Sequence, residues 1–525
     1  MSRMGSSALR VLLWALALIA VAILGITAEA GEPKKGGAFR LAVHQRPPTL
    51  DWQFTSAEST RRVAIHVYEN LFTVDEQGAP IRQLAEDAKV SSDGLTYTVA
   101  LRKGVLFHNG KELKAEDVKA SLDRFKRIGV RRGEFAALKQ VDVLDDYTVA
   151  FRLTEPVAAF IDMLAYPMAP PAIMPKAIAD AAEGGKAEIV GTGPYRMVEW
   201  VADKHVKLAR FDAYKPDARY QKPTGFGGKR TPYLDEIYLA LIEEAGAREG
   251  ALISGEAQGV ISISPPSARN LSRLKTLTMV EINPAGKTFI MFNHAKWPTK
   301  EQKFREAVTA ALNMEEIMAV AGDGVYQLSP GLLFPGTKYY TDAGKEYYNQ
   351  KNPAKAKQLL QEMGYKGQEL VYIAAPDLQQ GFKAAIVVSQ QLRDVGINLK
   401  IESYDFGTAM GVRGQQDKWN LFHTGQIPEA TADPLPWAAW FHSSRKWGFY
   451  GDPAMDELAL RLNRIGTFEK RFEAFKNMQE YMWKSAAFLP LGNYGSYDGY
   501  QTYVKGEDLK LNFWIPRLWN VWLDR

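Results

Sequence analysis

The chain has 525 residues, 46% hydrophobic and 24% charged, with 65 Lys and Arg against 60 Asp and Glu. That length exceeds one core and implies two or three domains, and the ordinary composition excludes wholesale disorder. A formal charge of only +5, scattered along the chain, gives no nucleic-acid footprint, and the absence of cysteine excludes disulfides, thiolate metal sites, cysteine nucleophiles and a lipidated N-terminal cysteine.

The first 30 residues stand apart. Arg3 and Arg10 precede an uncharged apolar run from Val11 to Ile26, and Ala28-Glu29-Ala30 offers small residues at the positions a signal peptidase reads. This is the layout of a secretory signal peptide cut before Gly31; the rival is an uncleaved N-terminal anchor. Beyond it no apolar run is long enough to span a membrane, so an exported, soluble mature chain is expected.

Residues 36–43 read as a strand. Asp93-Gly94 is a turn into an alternating strand carrying Tyr97, Val99 and Leu101, and Asn109-Gly110 is a second turn. Residues 115–128 read as a helix with Val118, Leu122 and Phe125 on one face and Gly129 at the C-terminal cap. A strand follows over 147–153. This region predicts an antiparallel α+β unit. Gly225 to Thr231 fits neither a P-loop nor a dinucleotide fingerprint, and reads as a mobile surface loop.

The second half changes character. Thr299 with Gln302 fits a capping box ahead of one helical run through Phe304, Val308, Leu312 and Met318. Asn352-Pro353 opens a helix that Gly364 closes. Strand 369–374, helix 382–394 and strand 398–403 then make a βαβ unit, hence a parallel sheet. A last helical stretch runs from Gly451 to about Ser485, and 489–503 reads as an extended crossing segment. Two lobes of this kind place a ligand cleft between them.

Catalytic signatures are missing: no Gly-x-Ser-x-Gly, no His-Glu-x-x-His, and seven histidines, none of them a close pair at metal spacing. Carboxylates are plentiful, and none is singled out. Aromatic density is high at Trp419, Phe422, Trp437, Trp440, Phe441, Trp447, Phe449 and Tyr450. Core packing and an aromatic-walled cleft are both open readings.

One set of motifs comes in order through the first 312 residues, within a likeness that extends over about 40–510. It runs Pro48-Thr49-Leu50-Asp51, Tyr68-Glu69-Asn70-Leu71, Leu84-Ala85-Glu86, Ser92 to Thr98, Leu101 to Gly110, Ala115 to Val118, Gly191-Thr192-Gly193-Pro194-Tyr195, Phe292-Asn293, and Arg305 with Ala310 to Leu312. By these the chain resembles the family 5 extracellular solute-binding proteins, the peptide, dipeptide and nickel receptors of ABC importers. The resemblance implies an α/β, bilobal periplasmic-binding-protein-like fold with an additional α+β domain, pear-shaped, with a hinge between the lobes. The expected division is a signal peptide (1–30), lobe I (31–60, 186–287 and 491–525), the additional domain (61–185) and lobe II (288–490). It further implies a monomeric periplasmic receptor without catalysis, cofactor, bound metal or nucleic acid. Its partners would be a small peptide-like solute and an ABC permease and ATPase complex in the inner membrane. A secreted hydrolase is the rival class, and a carboxylate pair in the cleft would support it.

Peptide-binding members carry a Gly-Asp or Ala-Asp pair whose carboxylate binds the peptide α-ammonium. Here the stretch is Phe422-His423-Thr424-Gly425-Gln426, and Gln426 stands where the aspartate is expected. A neutral amide loses the charge-assisted bond, which favours a blocked peptide, a sugar-like solute, an opine or another amide-bearing molecule unless Glu429 or Asp433 substitutes. The expected ligand-binding residues are Trp52, Asn293, His423, Thr424, Gly425, Gln426, Trp437, Trp440, Tyr494 and Tyr497.

Overall fold

The computed structural model describes residues 32–426, 434–445, 447–465, 467–506, 509 and 515–525. Residues 1–31, on which the signal peptide and its cleavage site fall, lie outside them. Among the described residues no helix is long and apolar enough to cross a membrane.

An eleven-stranded sheet runs through the molecule. Two strands, Leu277–Phe292 and Phe488–Gln501, are 16 and 14 residues long, several times a turn-to-turn strand of ordinary length. They pair antiparallel from Leu277↔Gln501 to Met291↔Phe488, with register shifts between Ile282 and Gly286 and between Thr288 and Phe289. Their outer flanks are used at opposite ends. Gly259–Ile263 pairs with the Tyr497–Tyr500 end, whereas Leu421–Gln426 pairs with the Lys287–Phe292 end. Each end of the ladder therefore belongs to a different half of the molecule.

On one side, Ala38–Val43 lies parallel to both Glu236–Leu241 and Gly259–Ile263, and the hairpin Tyr195–Val201 and His205–Arg210 closes the edge. On the other, Leu370–Ala374 lies parallel to both Leu399–Ser403 and Leu421–Gln426. The second core is a contiguous apolar cluster from Phe289 to Leu491. The first extends from Phe39 to Leu523 and includes the side chains of a separate four-stranded antiparallel sheet. That sheet is ordered Ala85–Val90, Thr96–Leu101, Thr148–Leu153, Leu138–Asp145, and the Ala115–Ile128 helix packs on it. The α+β unit read from the sequence is thus present, as is the parallel βαβ unit.

Three local expectations need correction. Thr299 does not cap the following helix: Gln302–Ala311 starts after Glu301 with no side-chain cap, and the Thr299 hydroxyl donates to the Asn293 and Lys296 carbonyls. The single run from 304 to 318 is two helices, because Asn313 accepts from the Glu315 N–H and starts Met314–Ala321 afresh. The Gly225–Thr231 segment is no mobile loop. Phe226 and Arg230 are buried, Arg517 donates to the Gly225 carbonyl, and Asn520 holds both the Thr231 N–H (2.6 Å) and the Lys229 carbonyl (3.0 Å). Gly129 is at the helix end as expected, but for a different reason. Its φ is −58°, and a Cβ there would lie 2.6 Å from the Phe125 ring.

Candidate functional site

A cavity of about 660 Å³ opens between the two halves, within the range of small-solute sites. Its walls come from the carboxyl ends of the parallel strands. His44 and Gln45 follow Ala38–Val43; Ala245, Arg248 and Glu249 follow Glu236–Leu241; Ser264, Pro265 and Ser267 follow Gly259–Ile263. From the other half, Asp377–Gly381 follow Leu370–Ala374, Phe406 follows Leu399–Ser403, and Thr424–Gln426 end their own strand. Open α/β sheets bind ligands at strand carboxyl ends because the loops there diverge and leave a crevice. Here two such ends face each other across the crossing strands, which add Ala285, Thr288, Tyr494 and Ser496.

His423 is the best-anchored polar group of the far wall. Its Nδ1 meets the Tyr372 hydroxyl at 2.9 Å and its Nε2 meets the Thr288 hydroxyl. Burial holds its pKa down to about 3, so the ring is neutral at pH 7. Gly381 permits this position, since a Cβ there would lie 2.6 Å from the ring. The ladder between Leu421–Gln426 and Leu370–Ala374 ends at Phe422. Thr424 to Gln426 therefore have one flank bonded to the crossing strand and one flank toward the cavity. Gln426 is half-buried, and its side-chain oxygen is buried without a hydrogen-bond partner.

The near wall is more charged. Glu58 and Arg62 form a buried ion pair one helical turn apart. Glu244 caps the Ala245–Ser254 helix by accepting from the Gly246 and Ala247 N–H groups at 2.9 and 2.5 Å. Arg248 in its first turn donates to the Ile242 and Glu243 carbonyls at 3.0 and 2.7 Å. Burial, then Arg62 and Arg248, hold His44 down to about 4. Ser262 adopts a left-handed φ of +59°, and its N–H donates to Asp498 at 3.1 Å. Burial raises that carboxyl to about 6. Behind the crossing strand, Lys287 is fully buried, donates to the Gly331 carbonyl at 2.7 Å, and is drawn down to about 7 by burial.

Of the residues expected from sequence, His423, Thr424, Gly425, Gln426 and Tyr494 line this cavity. Trp52, Asn293, Trp437, Trp440 and Tyr497 do not. Trp52 is buried beside Tyr68, between Asp51 and Gln53, which a fully buried Arg124 clamps at 2.5 and 2.9 Å. The Asn293 amide donates to the Gln416 and Trp419 carbonyls. Trp437 is 1% exposed, packs edge-on to Phe289 and carries Trp440 against it. Tyr497 donates to Glu281 at 2.8 Å. Glu429 and Asp433 fall outside the described residues. Sequence reading missed the near wall, above all His44, Arg248 and Ser262; the one signal for it was the order of parallel strands and the crevice rule. Among the described residues, no group of three His, Cys, Asp or Glu could hold a metal.

The family described as bacterial extracellular solute-binding proteins, family 5 middle, matches residues 79–449. The glutathione-binding protein GsiB of Salmonella choleraesuis (strain SC-B67) is 30% identical over 468 residues, covering 86% of this chain and 88% of that one. Two solved structures share the fold. The ABC transporter substrate-binding protein CtaP from Listeria monocytogenes has a TM-score of 0.82 at 23% identity, covering 94% of this chain and 100% of its own. The periplasmic binding protein DppA from Helicobacter pylori, in complex with the peptide STSA, has a TM-score of 0.76 at 23% identity, covering 94% and 99%.

Proposed function

The chain belongs to the bacterial extracellular solute-binding proteins of family 5, and from that premise we propose that it is a periplasmic receptor that captures a peptide-like solute between its lobes and delivers it to an ABC permease. The observation that carries this reading is the cleft itself. It lies at the carboxyl ends of six strands, three from each half, and two long strands with irregular register between Ile282 and Gly286 run from one half into the other. A solute touching both walls gains contacts only when they approach, so it favours the closed form. The Thr424–Gln426 flank supports an extended ligand, because beyond Phe422 its outward backbone has no strand partner among the described residues and is placed to pair as in strand addition. GsiB is named for a tripeptide and DppA holds a peptide, which supports the same ligand class.

Two of the three carboxylates that line the cavity, Glu58 and Asp377, are already engaged. Glu58 is engaged by Arg62, and Asp377 accepts from the Phe406 N–H at 3.0 Å, which supports binding over hydrolysis. Gln426 supports a second reading of the ligand, a solute with a blocked or neutral end. The test is a thermal-shift screen of protein stripped by unfolding and refolding, against di- to pentapeptides, N-acetyl peptides, opines and sugars. A ligand at about 100 times its Kd adds roughly 2.7 kcal/mol. Shifts from peptides support the receptor of peptide-like solutes; shifts only from sugars contradict it, and product appearing during incubation contradicts the non-catalytic role.

A further inference from the structure

Among the cleft residues, Arg248 is a buried cation with an unused edge. It is 6% exposed and lines the cavity. Its Nη1 is satisfied by two backbone carbonyls, which fixes the plane of the guanidinium. Its Nε is buried without a hydrogen-bond partner, and the nearby carboxylates Glu244 and Glu249 attract it through space without an ion pair to it among the described residues. Arg62, which lies behind the wall and does not line the cavity, is paired with Glu58. A buried guanidinium edge without a hydrogen-bonded acceptor is unfavourable, and the edge made by Nε and Nη2 is the planar fork that takes both oxygens of a carboxylate. Two more buried polar atoms without partners line the same cavity, His44 Nδ1 beside Arg248 and Gln426 Oε1 on the opposite wall. Buried polar atoms are almost always partnered, so the three mark where a solute completes the site.

Building on the receptor reading, we infer that Arg248 anchors a carboxylate of the solute in lobe I, with His44 hydrogen-bonded alongside, while Gln426 meets a neutral polar group at the other end. The solute then lies with a fixed polarity, acidic end on the near wall. Carboxylate is favoured over a sugar because a neutral hydroxyl leaves the charge unpaired. The guanidinium has one open edge, which matches two coplanar oxygens.

The test is calorimetric titration of the stripped full-length mature protein with trialanine and N-acetyl-trialanine, each as free acid and as C-terminal amide. The acids bind at least ten-fold more tightly than their amides, Arg248→Gln removes that difference, and Arg248→Lys restores part of it. Acid and amide binding within two-fold of each other in the unsubstituted protein overturns the anchor and leaves the receptor reading standing. No binding by any of the four overturns the peptide-like solute and the anchor together. Arg248→Gln also loses the bonds to Ile242 and Glu243, so its unfolding midpoint is measured without ligand. If it does not fold, the acid and amide pair in the unsubstituted protein still decides.

Discussion

His66 shows how much of the polar interior is set by single side chains. Its Nδ1 lies 2.9 Å from the Arg62 carbonyl and its Nε2 accepts from the Leu518 N–H at 2.9 Å, so Nδ1 carries the proton and the ring is neutral. Burial holds His66, His294 and His423 at about 3, and His44 and His108 at about 4. In the unfolded chain these rings take up protons near pH 6.5. The unfolded state therefore binds more protons between those values, and stability falls as pH drops below about 6.5. Asp498 acts in the other direction: raised to about 6, its stabilising share is present below about 3.8 and lost as pH rises through about 6. One proton carries about 1.4 kcal/mol per pH unit. His66→Gln should remove up to that much of the acid slope, read by urea unfolding between pH 4.5 and 8; an unchanged slope contradicts the buried neutral ring. At Gln426 the sign is also fixed. Gln426→Asp restores a carboxylate and should raise affinity for free-amine peptides over their N-acetyl forms by about ten-fold, the scale of one charge-assisted bond.

At the scale of elements, legibility followed locality. The Asn352 cap is local: its side chain accepts from the Lys355 N–H at 2.9 Å, and Gly364 takes a left-handed φ of +71° as the pattern demanded. Thr299 failed because its hydroxyl bonds carbonyls of the preceding loop, Asn293 and Lys296, instead of a helix N–H. Trp437 and Trp440 mark the limit of composition, since large aromatics near loops suit a cleft wall and a core equally, and here the rings pack edge-on in the second core. His423 to Gln426 and Tyr494 were reached through the family likeness, whereas Arg248 sits on a helix whose pattern carries no binding signature. The near wall exists only where the end of Ala38–Val43 meets the ends of Glu236–Leu241 and Gly259–Ile263, roughly 200 residues further along the chain. Gly381 tests the contact between element and site. It is the third residue of the Gln379–Arg393 helix, and alanine there should favour the helix by about 1 kcal/mol. Because the added Cβ meets the His423 ring at 2.6 Å, Gly381→Ala should nevertheless weaken solute binding several-fold with helix content unchanged, measured by circular dichroism and calorimetry. Undiminished affinity would show that the His423 position does not matter to the site.

Over the whole molecule, the division into two halves with separate apolar clusters, joined by two long strands, is what makes a closing cleft possible. Lobe II packs its own apolar cluster from Phe289 to Leu491, and the crossing strands resume their ladder at Gly286↔Tyr494, beside Gly495, whose N–H donates to the Val325 carbonyl. Little bulk is tolerated there: a Cβ on Gly286 would lie 2.2 Å from the Tyr494 hydroxyl, and one on Gly495 2.4 Å from Val325. The chain has no cysteine, so a labelled pair introduced on the two banks reports lobe distance without background. Ala247 and Thr408 are exposed and flank wall residues of the two halves. Ala247→Cys with Thr408→Cys, dye-labelled on stripped protein, should show energy transfer rising as solute is added, along the same saturation curve as binding. Saturable binding with no change in transfer would contradict capture by lobe closure.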